Sequence, residues 1–94
     1  MQLGNHDNPR ITSRFEPELA DGINMLLLLM PGTGIIYNGD ELGMLDTKVR
    51  WDQTNDVSAK KLGEALFDTV SRDPERTPFQ WNSSAEAGMS LKFV

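Results

Sequence analysis

The segment from Leu19 to Met30 limits what this chain can fold into more than any other feature. Leu19, Ile23, Leu26, Leu27 and Met30 recur at helical steps of three and four, and Met25, Leu28 and Leu29 fill the other side. A helix that is apolar almost all round needs cover almost all round. Pro17 suits its first turn, Glu16 and Glu18 favour its positive end, and Pro31-Gly32 stops it. Gly34-Ile35-Ile36-Tyr37 follows as a short continuous apolar run, the pattern of a strand buried on both faces in a parallel sheet. These two elements cannot close a core between them. Strand–helix alternation is the grammar of a parallel α/β fold, and the chain holds about a quarter of one.

The remaining stretches fit that grammar. Residues 1–7 read as the end of a strand running into a polar loop. Asn38-Gly39 could turn a hairpin, but Asp40 to Met44 makes a poor second strand, so a loop at the C-terminal end of the buried strand is expected. Residues 45–56 are polar loop. A second helix is expected from about Ser58 to Val70, with Leu62, Leu66 and Val70 on one face and Ser58 as its cap. Lys60 and Lys61 oppose the helix dipole there. From Ser71 to Met89 the chain reads as loop, because Pro74 and Pro78 deny it a regular helix.

Composition removes several classes of function. The net charge is −5 and no basic stripe is present, which argues against a nucleic-acid partner. The longest apolar run, Met25 to Met30, falls far short of the roughly 20 residues that span a bilayer, so membrane association would need an anchor outside this chain. No secretory signal is expected within it either. There is no cysteine, hence no disulfide scaffold. His6, Asp7, Asp40 and Glu41 could converge on a cation. One His without Cys serves zinc poorly, however, and calcium needs a fuller carboxylate array, so no metal and no cofactor are expected. Trp51 and Trp81 could stack on sugars but read more readily as core. Asn82-Ser83-Ser84 is a glycosylation sequon, relevant in a secreted context.

Asn5-His6-Asp7 places a neutral hydrogen-bonding side chain, an imidazole and a carboxylate together after a strand-like start. Polar groups at the C-terminal ends of barrel strands build active sites. The same triplet also fits a capped turn in which Asp7 and Asn8 bond local backbone. Spacing leaves both readings open.

Longer motifs narrow the choice. Gly-Asn-His-Asp-Asn-Pro-Arg at residues 4–10, continued by Ile-Thr-Ser-Arg-Phe at 11–15, resembles the seventh-strand segment of α-amylase-family enzymes in its α-glucosidase version. Leu-Met-Pro-Gly-Thr-Gly-Ile-Ile-Tyr-Asn-Gly-Asp-Glu-Leu-Gly-Met at 29–44 resembles the seventh helix end and eighth strand of that barrel. Ser-Arg-Asp-Pro-Glu-Arg-Thr-Pro-Phe-Gln-Trp at 71–81, followed by Ala87-Gly88-Met89-Ser90, resembles the loop beyond that strand in maltases and oligo-1,6-glucosidases. The wording is most like insect maltases, and the match runs through nearly the whole chain.

That resemblance implies an α/β fold: the C-terminal portion, in the region of the seventh and eighth strands, of an incomplete (β/α)8 TIM barrel. Residues 1–94 would all belong to the α-amylase-type catalytic barrel. It implies a retaining, exo-acting α-glucosidase that releases terminal α-linked glucose from maltose, sucrose or short oligosaccharides. The carboxylate nucleophile and the acid/base would lie upstream, on strands this chain lacks, so the chain alone is expected to be inactive. Asp7 would be the third, transition-state-stabilising carboxylate, gripping ring hydroxyls of the glucose being cleaved. His6 would bond a neighbouring hydroxyl, and Arg72 would fix the non-reducing end. Arg10 is a further substrate-site candidate that would orient acidic residues, with a structural salt bridge as an equal alternative; Arg76 is expected to be structural. Asp40 stands where Glu is usual and Gly34 where Pro or a small apolar residue is common. The resemblance also implies an extracellular or cell-surface parent. The competing reading is a non-catalytic amylase-like scaffold, such as an amino-acid transporter heavy subunit or a cell-surface docking protein. Such relatives have generally lost the catalytic set, whereas His6, Asp7 and Arg72 stand together here.

Overall fold

The computed structural model describes residues 1–88. Its longest regular element is the expected apolar helix. A 3-10 turn at Pro17–Leu19 leads into α2, Ala20–Leu29, and Pro17 occupies the opening position where its missing N–H costs nothing. Met30 leaves the helix extended, and Gly32, at φ 106°, turns the chain away. Before it lies a helix not expected from the sequence, α1, Ile11–Arg14, too short for periodicity to reveal.

Gln2 and Ile35 pair in parallel through a single bridge, so the two strand-like segments do lie side by side in the orientation a parallel sheet requires. Ile35 and Ile36 are nevertheless 50% and 39% exposed, against the expectation of burial on both faces. A parallel strand takes its cover from layers on both sides, and this chain supplies one neighbouring strand end and part of one layer. Helix α2 shows the same deficit. Leu27 and Ala20 are buried, while Met25, Leu26, Leu28 and Leu29 are 55–75% exposed. Asn38-Gly39 turns no hairpin: Gly39, at φ 97°, opens a 3-10 turn over Asp40–Leu42.

The second helix is shorter than expected. Helix α3 spans Val57–Leu62 and ends where Gly63 adopts φ 81°, with a separate 3-10 turn at Phe67–Thr69. Its cap is Asp56 rather than Ser58: an Asp56 carboxylate oxygen accepts from the Ser58 N–H at 2.8 Å. Lys60 and Lys61 thereby fall in the last turn, where positive charge is favoured. From residue 72 to residue 88 the chain is irregular apart from short 3-10 turns at Pro74–Arg76 and Ala85–Gly88. Met89 and Ser90, which close the last of the quoted motifs and the expected loop, lie outside the described residues. Trp51 packs edge-on against Phe67, but Trp81, edge-on to Phe79, is 70% exposed, which corrects its reading as a core residue.

Among the described residues the buried apolar side chains are only Ile11, Ala20, Leu27, Met44 and Ala59, and polar bonds supply much of the rest. Thr12 donates its hydroxyl to the Met44 carbonyl, and Ser13 accepts from the Asp46 N–H at 2.8 Å. The Cα radius of gyration is 15.0 Å, against about 12 Å for a compact domain of this length. No helix among the described residues is long and apolar enough to cross a membrane.

Candidate functional site

Asn5 builds the turn that presents the candidate residues. Its side-chain oxygen accepts from the Asp7 N–H and from the Asn8 amide, both at 2.9 Å. The sequence allowed a turn tied by Asp7 and Asn8; Asn5 ties it instead and leaves the Asp7 carboxylate free to point outward. That carboxylate is half exposed, and it is where the distant parts of the chain meet. Arg72 donates from Nη1 to Asp7 Oδ1 at 3.0 Å, and Arg76 donates from Nη2 to the same oxygen at 2.8 Å. His6 Nε2 lies 3.3 Å from the other oxygen, Oδ2. Desolvation, the largest single influence, pushes the Asp7 carboxyl up. The Arg72 bond, the His6 imidazole and the Arg76 bond together outweigh it and hold Asp7 below the usual carboxylate range. It is therefore an anion at neutral pH.

Arg72 stands two residues before the 3-10 turn at Pro74–Arg76 and Arg76 closes it, and that turn is fastened from several sides. Tyr37 donates its hydroxyl to the Glu75 carbonyl at 2.9 Å, and the Thr47 N–H donates to the Pro74 carbonyl at 3.1 Å. Arg76 Nε donates to the His6 carbonyl at 2.7 Å. Arg76, expected to be structural, does brace the two loops through that carbonyl, and it also reaches Asp7.

Arg72 is itself gripped from behind. Asp56, whose side chain is wholly buried, accepts from Arg72 Nε at 2.8 Å and from Nη2 at 3.3 Å. It also takes the Arg72 backbone N–H at 3.1 Å. The arginine, first through its side-chain bonds, keeps Asp56 ionised far below the ordinary carboxylate range despite burial. The clamp is reciprocal. Asp73 Oδ2 accepts from the Asn55 N–H at 2.7 Å, the Asp56 N–H at 3.1 Å and the Thr54 hydroxyl at 2.5 Å.

Arg10 is placed otherwise than the substrate-site candidacy expected. It is fully buried beneath the site, with its guanidinium 5.1 Å from the centre of the Tyr37 ring. It donates to the carbonyl oxygens of Asn38, at 2.5 Å, and Thr77, at 3.5 Å. No ion pair involves it among the described residues, so the alternative of a salt bridge is not what is found either. The two carbonyl oxygens partner Nη1 and Nη2 of this buried guanidinium, while its Nε has no hydrogen-bond partner among the described residues. Gly39 makes room for it, since a β-carbon there would lie 2.7 Å from Arg10 Nη1. Asp40 is buried beside Gly4 and accepts from the Tyr37 N–H at 3.1 Å; burial pushes its carboxyl up, and it faces away from solvent. Among the described residues no group of three His, Asp or Glu side chains could hold a metal ion.

The site therefore gathers one exposed carboxylate, one imidazole and two guanidiniums on one surface. Such a set offers charged acceptors and donors to a polyhydroxylated ligand. Asp56 and the Asp7 contact of Arg76 were not anticipated. An Asp immediately ahead of Val57-Ser58 is a helix-cap signal that could have singled out Asp56.

The profile described as "Alpha amylase, catalytic domain" matches residues 1–93. The chain is 48% identical over 89 residues to Maltase 1 of Drosophila virilis, covering 94% of this chain and 14% of that protein. It is 48% identical over 87 residues to an alpha-glucosidase of Apis mellifera, covering 93% and 15%. An amino acid transporter heavy chain of Mus musculus is 33% identical over 87 residues, covering 93% and 11%. Among solved structures, the trehalulose synthase MutB of Pseudomonas mesoacidophila superposes with a TM-score of 0.78 at 34% identity, over 97% of this chain and 20% of that one. The chain thus spans about a seventh of the length of the maltase and alpha-glucosidase it matches.

Proposed function

The chain belongs to the α-amylase catalytic-domain family, and from that premise we propose that it is the seventh- and eighth-strand region of a (β/α)8 barrel in a retaining α-glucosidase. Residues 1–94 are then one piece of the catalytic barrel, and the nucleophile and acid/base belong to other strands. The observation that carries the reading is the convergence of His6, Asp7 and Arg72 on one exposed face, although 65 residues separate Asp7 from Arg72.

The chemistry of those residues fits a sugar subsite. Asp7, ionised and half open to solvent, offers charged acceptors to ring hydroxyls, and a charged hydrogen bond is roughly twice as strong as a neutral one. An oxocarbenium-like transition state flattens the sugar ring and strengthens bonds to its hydroxyls. His6, beside Asp7 Oδ2, serves a neighbouring hydroxyl. Arg72 fixes the non-reducing end and so favours exo-action on maltose, sucrose or short oligosaccharides. Arg76 and Arg10 hold the loops that present these groups. No nucleic acid takes part, and membrane attachment, where present, comes from an anchor outside this segment.

Arg72 holds hydroxyls present in both substrate and transition state, so its loss removes uniform binding. In the full-length protein that carries this chain, Arg72→Ala is expected to raise KM for maltose at least as much as it lowers kcat. Steady-state kinetics on maltose, with circular dichroism to confirm folding, is the test. An unchanged KM in a folded variant contradicts the subsite assignment.

The transporter heavy-chain similarity favours a second reading, a non-catalytic amylase-like scaffold on a cell surface. Its identity to this chain is lower, and His6, Asp7 and Arg72 present the paired acceptor and donors a sugar subsite needs. A full-length protein that folds and fails to turn over any α-glucoside would favour the scaffold.

A secreted or cell-surface parent also has a chemical consequence at Asn82. This side chain is exposed, and its oxygen accepts from both the N–H and the hydroxyl of Ser84, at 2.9 and 2.5 Å. The sequon thus sits in an open turn, and protein from a eukaryotic secretory host is expected to carry a glycan at Asn82. Peptide mapping with and without glycosidase reads it directly; an unmodified Asn82 contradicts the expectation.

A further inference from the structure

We propose that Asp56 is a positioning residue that sets the aim of Arg72, a role that rests on the reading of Arg72 as a sugar-binding group. Arg72 is more than a third exposed, and a free arginine side chain at such a surface samples many rotamers. Its guanidinium is nonetheless held in one orientation. Nε and Nη2 both point back at Asp56, at 2.8 and 3.3 Å, in the two-pronged arrangement that fixes a guanidinium plane, and this turns Nη1 forward onto Asp7 at 3.0 Å. Asp56 is immobile in turn. Its carboxylate is wholly buried and bonded to the Ser58 and Arg72 N–H groups, while Asp73 pins the Asn55 and Asp56 backbone. The aim of a surface arginine is thus fixed through a buried carboxylate to the start of α3.

The functional consequence is specific. Fixing Arg72 before the sugar arrives removes an ordering cost that binding would otherwise bear. Loss of Asp56 should therefore resemble loss of Arg72 in kinetics, not merely loosen the fold. Asp56→Asn turns an amide donor toward a guanidinium that has only donors. Asp56→Ser keeps an oxygen acceptor for the helix cap while removing the two-pronged partner.

The experiment measures maltose kinetics and thermal midpoints for full-length protein carrying Asp56→Asn, Asp56→Ser, Arg72→Ala, and Asp56→Ser with Arg72→Ala. The expected result is a KM increased by about tenfold or more in each Asp56 variant, with a smaller fall in kcat. The double variant is expected to bind no worse than Arg72→Ala alone, because the two residues act as one unit. A raised KM for Arg72→Ala with an unchanged KM in folded Asp56 variants overturns the positioning role and leaves the subsite intact. An unchanged KM for Arg72→Ala overturns both. Failure of both Asp56 variants to fold also contradicts the proposal, since it would make Asp56 a prop of the fold and not of the arginine's aim.

Discussion

Replacing Asp7 by Asn in the full-length protein is expected to lower kcat on maltose by roughly 10²–10³, with little change in KM. The substitution keeps shape and volume and removes the charge. In the structure, Asp7 Oδ1 takes Arg72 and Arg76 while Oδ2 lies beside His6. An anion aimed by two cations is a preorganised group, and groups of this kind are worth about 3–4 kcal/mol where charge develops in a transition state. On the proposed reading, positive charge spreading over the flattening ring is met by Asp7 only as the reaction proceeds, so the loss is expected to fall on kcat rather than on binding. A variant that keeps more than about a tenth of wild-type kcat would put the transition-state interaction under about 1.4 kcal/mol. The catalytic assignment of Asp7 would then fail.

The second large effect concerns folding. Residues 1–94 purified alone are expected to show no cooperative unfolding transition and no turnover of a chromogenic α-glucoside. Met25, Leu26, Leu28 and Leu29 stand largely in water on α2, and Ile35 is half exposed beside them in sequence order. Each large apolar side chain left uncovered forgoes roughly 1.5–3 kcal/mol. A ten-residue helix has little stability in water without tertiary packing. The polar clamps around Asp56, Asp73 and Arg10 cannot offset an ordering cost of about 1.5 kcal/mol per residue. Thermal and urea unfolding followed by circular dichroism gives the answer. A sharp, reversible transition of the monomer contradicts the folding half. Turnover above a control carrying Asp7→Asn contradicts the catalytic half.

The parts of this fold that were legible in the sequence are those written in local patterns. The periodicity of Leu19 to Met30 and its proline and glycine punctuation located α2, because a helix face repeats within a few residues. The apolar run at Gly34 to Tyr37 located a parallel neighbour for the first segment, which the Gln2–Ile35 bridge shows. Helix α3 was overextended because Leu62, Leu66 and Val70 keep helical spacing, yet the left-handed backbone of Gly63 breaks the run between them. Its cap was misplaced by two residues, since Ser58 and Asp56 are both good capping types and only the observed bond chooses.

The site was legible in part, and only through motif wording. His6, Asp7 and Arg72 were singled out and do stand together. Arg10 was expected near acidic groups, and its charge does act on Asp40 and Glu75, but its guanidinium bonds carbonyl oxygens, which depends on how the loops at Asn38 and Thr77 fold over it. The pairing of Asp56 with Arg72 spans 16 residues that include α3 and a 3-10 turn, and no local periodicity encodes a contact between the two ends of that span. Arg76 shares an oxygen of Asp7 across 69 residues for the same reason.

The most direct measurement is a crystal structure of the full-length protein, inactivated at its nucleophile, with maltose bound. The account predicts that Asp7, His6 and Arg72 all lie within about 2.6–3.2 Å of hydroxyls on one terminal glucose. A glucose bound elsewhere in the barrel, with Asp7 and Arg72 bonded only to each other and to protein, would contradict it.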